Sequence, residues 1–332
     1  MKKIIKLSCL GALMATAGPL WAASCGPVVI ASMNWQSAEV LSNIDKFILT
    51  NGYGCEAEIT VGDTVPTITS MAEKGQPDIA PEAWVDVLPD IVKRGVADGK
   101  LVIAGASLSE GGESGWWIPK YLADAHPEIK TIDDALKRPD LFPHPDQPGK
   151  GAVFSGPQGW GGTVITAQLF KAYKAQDAGF SLVDTGSGPA LDASIASAYQ
   201  KKRGWMGHYW APSAILAKYQ MVKLDFGVPL DEKGWASCIT VANCPDPKPS
   251  AWPIDHVYTL VSTRFQQKAG AQITGYLQKR AWDNKTVGAL LAWMTDNQAS
   301  GEEAAEHFLK TQPQIWKQWV APEAVARIER AL

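Results

Sequence analysis

The stretch Ser155-Gly156-Pro157-Gln158-Gly159-Trp160-Gly161-Gly162-Thr163, here called the glycine-rich turn, lies between a strand-like apolar run and a run with helical spacing. Five of its nine residues are glycine or proline, so backbone N–H groups can point outward at the helix start. Such a start binds an anion through those groups and the positive end of the helix dipole. The indole of Trp160 beside it favours a zwitterion whose other end is an organic cation. A surface turn with one packed tryptophan would give the same pattern.

The composition is that of a globular protein with an unusual amount of tryptophan. The chain has 332 residues, enough for two domains, with 46% hydrophobic and 20% charged residues and a formal charge of -3. It contains no cluster of lysine and arginine, which disfavours nucleic acid as a partner. There are 14 Trp beside 8 Phe and 8 Tyr, so we expect some of the indoles to form a pocket as well as a core.

Residues 1–24 have the pattern of a secretory signal peptide. Three lysines lie among the first six residues, an apolar run follows at 7–20, and small residues at 22–24 suit cleavage. We therefore expect a periplasmic protein, with lipidation of Cys25 as an alternative fate for the new N-terminus. The sequence after this segment contains no run of about 18 apolar residues, so we expect no transmembrane helix there. Because the removed segment holds three lysines and no acidic residue, the mature chain would keep 28 basic and 34 acidic side chains, a charge of -6.

The mature chain would keep four cysteines, and export to an oxidising compartment favours disulfides between them. Four cysteines allow three pairings. We favour Cys25–Cys55, which would link the starts of the first two strands, together with Cys238–Cys244, which closes a short loop. A metal site is disfavoured because no Cys-x-x-Cys and no histidine pair accompanies these residues.

Alternating strand and helix patterns predict two α/β lobes joined by two crossings of the chain. One alternating unit runs from 28 to 106 and a second from 151 to 219. A strand at 257–262 and a mostly helical tail then return the chain to the first unit. A ligand would lie between the lobes, at the carboxyl ends of the strands. The predicted segments are lobe 1 at 25–114, lobe 2 at 115–230, and the crossover with the second part of lobe 1 at 231–332.

Several tryptophans fall at or near the ends of predicted strands in both lobes. A quaternary ammonium group has no N–H to donate, so aromatic faces bind it instead. Each such contact contributes roughly 0.5–2 kcal/mol, so four of them would supply up to about 8 kcal/mol, the scale of micromolar binding. Packing in the core is the alternative for each ring. The candidate cage residues are Trp35, Trp84, Trp117, Trp160 and Trp210.

Three segments resemble one known family. They are Asp78-Ile79-Ala80-Pro81-Glu82-Ala83-Trp84, the glycine-rich turn, and His208-Tyr209-Trp210-Ala211-Pro212. In order and spacing they are similar to the receptors of ABC importers for glycine betaine, choline and trimethylamine N-oxide. The resemblance covers the chain from about Cys25 to its end, and it implies a type II periplasmic binding protein whose two lobes close over the ligand.

The resemblance also implies roles for individual residues. Tryptophans matching Trp84, Trp160 and Trp210 form the aromatic box of betaine-binding members, and backbone N–H groups matching Gly161 and Gly162 hold the carboxylate. Betaine-binding members carry cysteine where Gly162 stands.

Two further features of the resemblance bear on the choice of ligand. Choline-binding members use a tryptophan matching Trp35 with an aspartate two residues later, where this chain has Ser37. The run at 115–120 is most similar to the trimethylamine N-oxide branch. The resemblance therefore implies betaine or the N-oxide rather than choline.

Three polar residues near the expected cleft are further candidates for ligand binding. Glu82 and Glu113 could attract a cation, although solvated surface carboxylates are the alternative for both. His208 could donate a hydrogen bond to a ligand oxygen or make a structural one instead.

We therefore expect a monomeric receptor that binds glycine betaine or trimethylamine N-oxide and delivers it to an ABC permease with its ATPase. No cofactor or metal is expected. A receptor for choline, carnitine or a sugar is the alternative, and an exported hydrolase is a further one. The sequence has no Gly-x-Ser-x-Gly, His-Glu-x-x-His or P-loop motif, which disfavours the hydrolase.

Overall fold

The computed structural model describes residues 25–332, and the predicted signal peptide lies outside these residues. The strands form two separate sheets, one for each lobe. The strands are β1 (Pro27–Met33), β2 (Glu56–Gly62), β3 (Ile79–Trp84), β4 (Leu101–Ala106), β5 (Gly112–Pro119), β6 (Gly151–Ser155), β7 (Phe180–Asp184), β8 (Gly207–Ala211), β9 (Met221–Lys223), β10 (Ile254–Asp255) and β11 (Val257–Ser262).

Helices connect the strands and make up most of the C-terminal tail. Several begin at a serine whose hydroxyl accepts an N–H of the first turn, as Ser187, Ser262 and Ser300 do. The helices are α1 (Gln36–Phe47), α2 (Thr64–Lys74), α3 (Pro89–Ala97), α4 (Lys120–Ala125), α5 (Ile132–Leu136), α6 (Gly161–Ala172), α7 (Gly188–Lys201), α8 (Ala214–Lys218), α9 (Glu232–Gly234), α10 (Thr263–Lys279), α11 (Asn284–Asp296), α12 (Gly301–Thr311), α13 (Pro313–Trp316) and α14 (Pro322–Ala331).

The sheet of lobe 1 has the order β2-β1-β3-β11-β4. Strand β1 is parallel to β2 and to β3, whereas β11 is antiparallel to β3 and to β4. All six residues of β3 are buried, as expected for a central strand that is covered on both faces. The carboxyl ends of β1 and β3 therefore open onto the same edge of this sheet.

The sheet of lobe 2 repeats this arrangement in the order β10-β5-β8-β6-β7, with β9 also paired to β5. Strand β6 is parallel to β7 and β8, and β5 is antiparallel to β8. In each lobe the antiparallel strand, β11 or β5, is the one that the chain forms on arriving from the other lobe. The two sheets therefore present corresponding strand ends to the gap between the lobes.

The chain crosses between the sheets twice, once between β4 and β5 and once between β10 and β11. The first connection lies against the start of the second: a side chain on Gly111 would lie 2.6 Å from the carbonyl oxygen of Asp255, the last residue of β10, and the φ of +72° at Gly111 also favours glycine. The expectation of two α/β lobes with a double crossing is confirmed. The domain limits at 114/115 and 230/231 stay predictions, while strand β5 already begins at Gly112 and β10 still belongs to the second sheet.

The tail helices return to lobe 1, where charged and polar contacts fix them. Arg280, at the end of α10, lies 2.8 Å from the carboxylate of Asp45 on α1, and both side chains are buried. Arg327 of α14 donates to the carbonyl oxygen of Gly52 at 2.7 Å. Residues 263–332 are therefore part of the scaffold that holds the carboxyl ends of β1 and β3.

Both disulfides predicted from the sequence are confirmed. Cys25 lies two residues before β1 and Cys55 directly before β2, and because these strands are parallel neighbours their first residues lie at the same sheet edge. Cys238 and Cys244 close a loop of the crossover segment. Over residues 25–332, no helix is long and apolar enough to span a membrane.

Candidate functional site

Four tryptophans from both lobes meet in the gap between the two sheets. Trp35 follows β1 and Trp84 ends β3 in lobe 1, whereas Trp160 precedes α6 and Trp210 lies near the end of β8 in lobe 2. They surround a cavity of about 40 Å³, here called the tryptophan cavity. Its other lining residues are Thr64, Val87, Ser114, Gly162 and His208.

The indoles meet edge to face across the gap. The ring centroid of Trp35 lies 5.8 Å from that of Trp160 with the planes at 88°, and 6.5 Å from that of Trp210 at 69°. Trp160 and Trp210 are 5.1 Å apart at 83°. Because perpendicular rings present both faces and edges to the space between them, π faces are left to line the cavity.

Glu82 fixes the two indoles of lobe 1 from behind. One carboxylate oxygen accepts the ring N–H of Trp35 at 2.7 Å, the ring N–H of Trp84 at 3.1 Å and the hydroxyl of Ser37 at 2.8 Å. The Glu82 side chain is buried, and burial raises its pKa against the lowering effect of these donors. The carboxylate does not line the cavity itself.

Trp160 is held by lobe 1 although it belongs to lobe 2. Its ring N–H donates to the side-chain oxygen of Asn34, and the Asn34 amide in turn donates to Asp63. A backbone hydrogen bond of 3.1 Å, from Val65 N–H to the Gly159 carbonyl, also joins the lobes beside it. The lobes are therefore closed on each other at the glycine-rich turn.

The glycines of the glycine-rich turn are needed for close approach. A β-carbon at Gly161 would lie 2.5 Å from Val87 of lobe 1, and one at Gly162 would lie 2.3 Å from the ring of His208. Helix α6 begins at Gly161 with no side-chain cap. Its first two N–H groups have no intrahelical acceptor, and none is found for them elsewhere in residues 25–332. They form a donor pair at the positive end of the helix dipole.

His208 is a buried, neutral imidazole in the cavity wall. It is 4% exposed and stacks on Trp252 with ring centroids 5.2 Å apart. Burial lowers its pKa to about 3, so the ring carries no positive charge near neutral pH. Its Nδ1 atom has no hydrogen-bond partner among the described residues. The ring can therefore donate to an oxygen of a ligand without repelling a cation.

Four of the sequence candidates do not line the cavity: Glu82 and Gly161 lie next to its lining residues, and Trp117 and Glu113 lie elsewhere. The ring N–H of Trp117 donates to the Tyr209 carbonyl at 2.9 Å, and the indole packs in the core of lobe 2. Glu113 is half exposed and forms an ion pair of 2.5 Å with Lys223. Sequence reasoning missed Asn34, whose position next to Trp35 at a strand end was the available signal. No group of acidic, histidine or cysteine side chains suited to a metal ion occurs in the described chain.

Comparison with known proteins identifies the family. Residues 26–311 match the model of the substrate-binding domain of ABC-type glycine betaine transport systems, so the protein belongs to this family. A relative, the trimethylamine N-oxide-binding protein of Pelagibacter ubique (strain HTCC1062), is 25% identical over 331 residues, which are 95% of this chain and 98% of the relative. The protein is thus a substrate-binding receptor of the kind used by ABC importers for quaternary amines.

Two solved structures share the fold. The glycine betaine/L-proline-binding protein ProX of Borrelia burgdorferi is 19% identical with a TM-score of 0.71, covering 91% of this chain and 99% of its own. An ABC-transporter choline-binding protein in complex with choline is 18% identical with a TM-score of 0.72, covering 92% and 98%. Together with the sheet order, these similarities confirm the type II periplasmic binding protein fold expected from the sequence.

We expect Gly162→Ala to lower the free energy of unfolding by about 1–3 kcal/mol, because the new methyl group would push His208 out of its stack with Trp252. Gly288→Ala is the matched control: Gly288 lies within α11, and no atom lies within 4 Å of an added β-carbon. Urea unfolding should show this control to be neutral or stabilised. Equal stability of the two variants would contradict the tight contact between Gly162 and His208.

Proposed function

We propose that this protein is a periplasmic receptor that binds a small trimethylammonium compound in the tryptophan cavity and delivers it to an ABC permease. The observation that carries the proposal is the convergence of four indoles from both lobes on one small cavity. Aromatic faces attract a methylated nitrogen through the ring quadrupole, and they do so best where water is excluded. Trp84 and Trp160 are buried and the other two indoles are half-buried, which meets that condition.

The oxygen end of the ligand has its own seat in this proposal. The free N–H groups of Gly161 and Gly162 lie at the start of α6, and the neutral ring of His208 lies against Gly162. Backbone donors with a helix dipole suit an anionic oxygen, and an imidazole adds one more donor. A ligand with a methylated cation at one end and an oxygen at the other satisfies both halves of the site.

Trimethylamine N-oxide is the ligand that we expect to bind best. The cavity measures about 40 Å³, well below the roughly 300–1,000 Å³ of pockets for drug-sized ligands. The contact of His208 with Gly162 also fills space beside the helix start, where a longer acid would extend. The N-oxide bears its oxygen directly on nitrogen, whereas glycine betaine places a methylene and a carboxylate there. The name of the Pelagibacter relative supports the same choice, while the family description keeps betaine as the second candidate.

Closure of the lobes would couple binding to delivery. Lobe 1 contributes Trp35 and Trp84, and lobe 2 contributes Trp160 and Trp210. Because Trp160 both lines the cavity and donates to Asn34 across the gap, a cation held against its face stabilises the same ring position that closes the lobes. A ligand that contacts both lobes shifts the equilibrium towards the closed form, which the permease would recognise.

A titration panel tests the proposed ligand class. Isothermal titration calorimetry on refolded, ligand-free protein should show micromolar or tighter binding of trimethylamine N-oxide. Glycine betaine should bind more weakly, choline and carnitine weaker still, and maltose not at all. Recovery of unaltered ligand after prolonged incubation should separate a receptor from a hydrolase. Tightest binding of maltose, or no binding of any trimethylammonium compound, would contradict the proposal.

We predict that Trp84→Ala and Trp160→Ala each weaken binding by about tenfold or more, since each removes a desolvated contact of roughly 1.4–2 kcal/mol. Trp293→Ala is the control, because that ring stacks on His307 at 3.7 Å and does not line the cavity. The Trp293→Ala variant should bind the ligand with wild-type affinity in the same calorimetric assay. Wild-type affinity in both cavity variants would exclude these rings from the site.

A further inference from the structure

The carboxylate of Glu82 lies directly behind the lobe 1 wall of the tryptophan cavity. We propose that Glu82 is the positioning residue of this site: it fixes the planes of Trp35 and Trp84, and its negative charge is balanced by the cationic nitrogen of the bound ligand. The inference rests on the proposed function, since it requires a ligand that carries a methylated cation. It assigns to Glu82 a selectivity for charge that the indole faces alone supply weakly.

The first half of the proposal follows from the hydrogen bonds. A single oxygen of Glu82 accepts both indole N–H groups, at 2.7 Å from Trp35 and 3.1 Å from Trp84. An indole has one N–H donor, so this bond selects one orientation of each ring about its side-chain torsions. The two rings come from different segments of lobe 1, one after β1 and one at the end of β3. One carboxylate thus sets the relative angle of two walls of the cavity.

The second half follows from charge. Glu82 is 1% exposed, and its other oxygen has no hydrogen-bond partner among residues 25–332. No lysine, arginine or histidine of this part of the chain lies within 4.0 Å of it. Arg280 acts on it from a greater distance and is itself paired with Asp45. A buried carboxylate without a counter-ion is costly, and a cation on the far side of the two indoles reduces that cost.

Two substitutions separate the two halves. Glu82→Gln keeps an oxygen that can accept from both indoles and removes the charge; because the second carboxylate oxygen has no partner, the amide nitrogen that replaces it breaks no bond. Glu82→Asp keeps the charge but shortens the side chain, so the indole N–H groups lose their common acceptor. Ser37→Ala is the matched control, since it removes one neutral donor to the same oxygen and leaves the charge.

Each protein is titrated with trimethylamine N-oxide and glycine betaine. The same proteins are titrated with tert-butanol and 3,3-dimethylbutanoate, the isosteres in which an uncharged carbon replaces the methylated nitrogen. Glu82→Gln should weaken binding of the two cationic ligands by about tenfold and leave the isosteres within about twofold, so the cation-to-isostere ratio falls. Glu82→Asp should weaken both kinds of ligand by similar factors and keep the ratio. Ser37→Ala should keep the ratio at its wild-type value.

The outcomes are distinguishable. An equal loss for cations and isosteres in Glu82→Gln would overturn the charge role, and wild-type affinities in Glu82→Asp would overturn the positioning role. Thermal unfolding shows whether each variant is folded, and if Glu82→Gln does not fold, the loss of affinity expected for Glu82→Asp still tests the positioning role. Failure of the wild-type protein to bind any trimethylammonium compound would instead refute the proposed function.

Discussion

The edge-to-face contact of Trp35 with Trp160 and Trp210 is the interaction on which the site depends. Trp35 belongs to lobe 1 and the other two to lobe 2. The ring centroid of Trp35 lies 5.8 Å from that of Trp160 and 6.5 Å from that of Trp210. A cavity enclosed by these rings therefore exists only when the lobes are closed. The two chain crossings lie beside each other, and under the proposed function the lobes would open about them and separate the rings. Under the proposed function, a ligand that fills the space between the rings would contact both lobes at once, so that binding would be coupled to closure.

The fold brings these rings together because each lobe offers the same edge of a similar sheet. Parallel strands end at one side of a sheet. Trp35 and Trp160 follow β1 and β6, whereas Trp84 and Trp210 lie at or near the ends of β3 and β8, and all four line the gap. The start of α6 adds free N–H groups on the same side as His208. Polar donors and aromatic faces are thereby separated within a small volume, which matches a molecule with a cationic and an oxygen end.

Much of the fold was predictable from the sequence, and the reasons are local. Alternating strands and helices and the glycine-rich turn each report on a few neighbouring residues, and the pairing of Cys25 with Cys55 followed from their positions at the starts of two predicted strands. The positions of Trp117 and Glu113 were harder to predict, because they depend on which face of β5 turns to the core and on the pairing of β5 with the distant strand β9. Likewise, every residue of β3 is buried, so the sequence pattern gives no indication that Glu82 would contact the indole N–H groups.

The most direct measurement is a crystal structure of the protein with trimethylamine N-oxide bound. The account predicts that the nitrogen lies within about 6 Å of the ring centroids of Trp35, Trp84, Trp160 and Trp210, with its oxygen towards Gly162 and His208. A larger cleft of about 490 Å³ lies beside the cavity; it shares Trp35 and Trp210 with the cavity and extends to Ser32 and Asp192. Ligand found in that cleft, with the tryptophan cavity empty, would contradict the central claim.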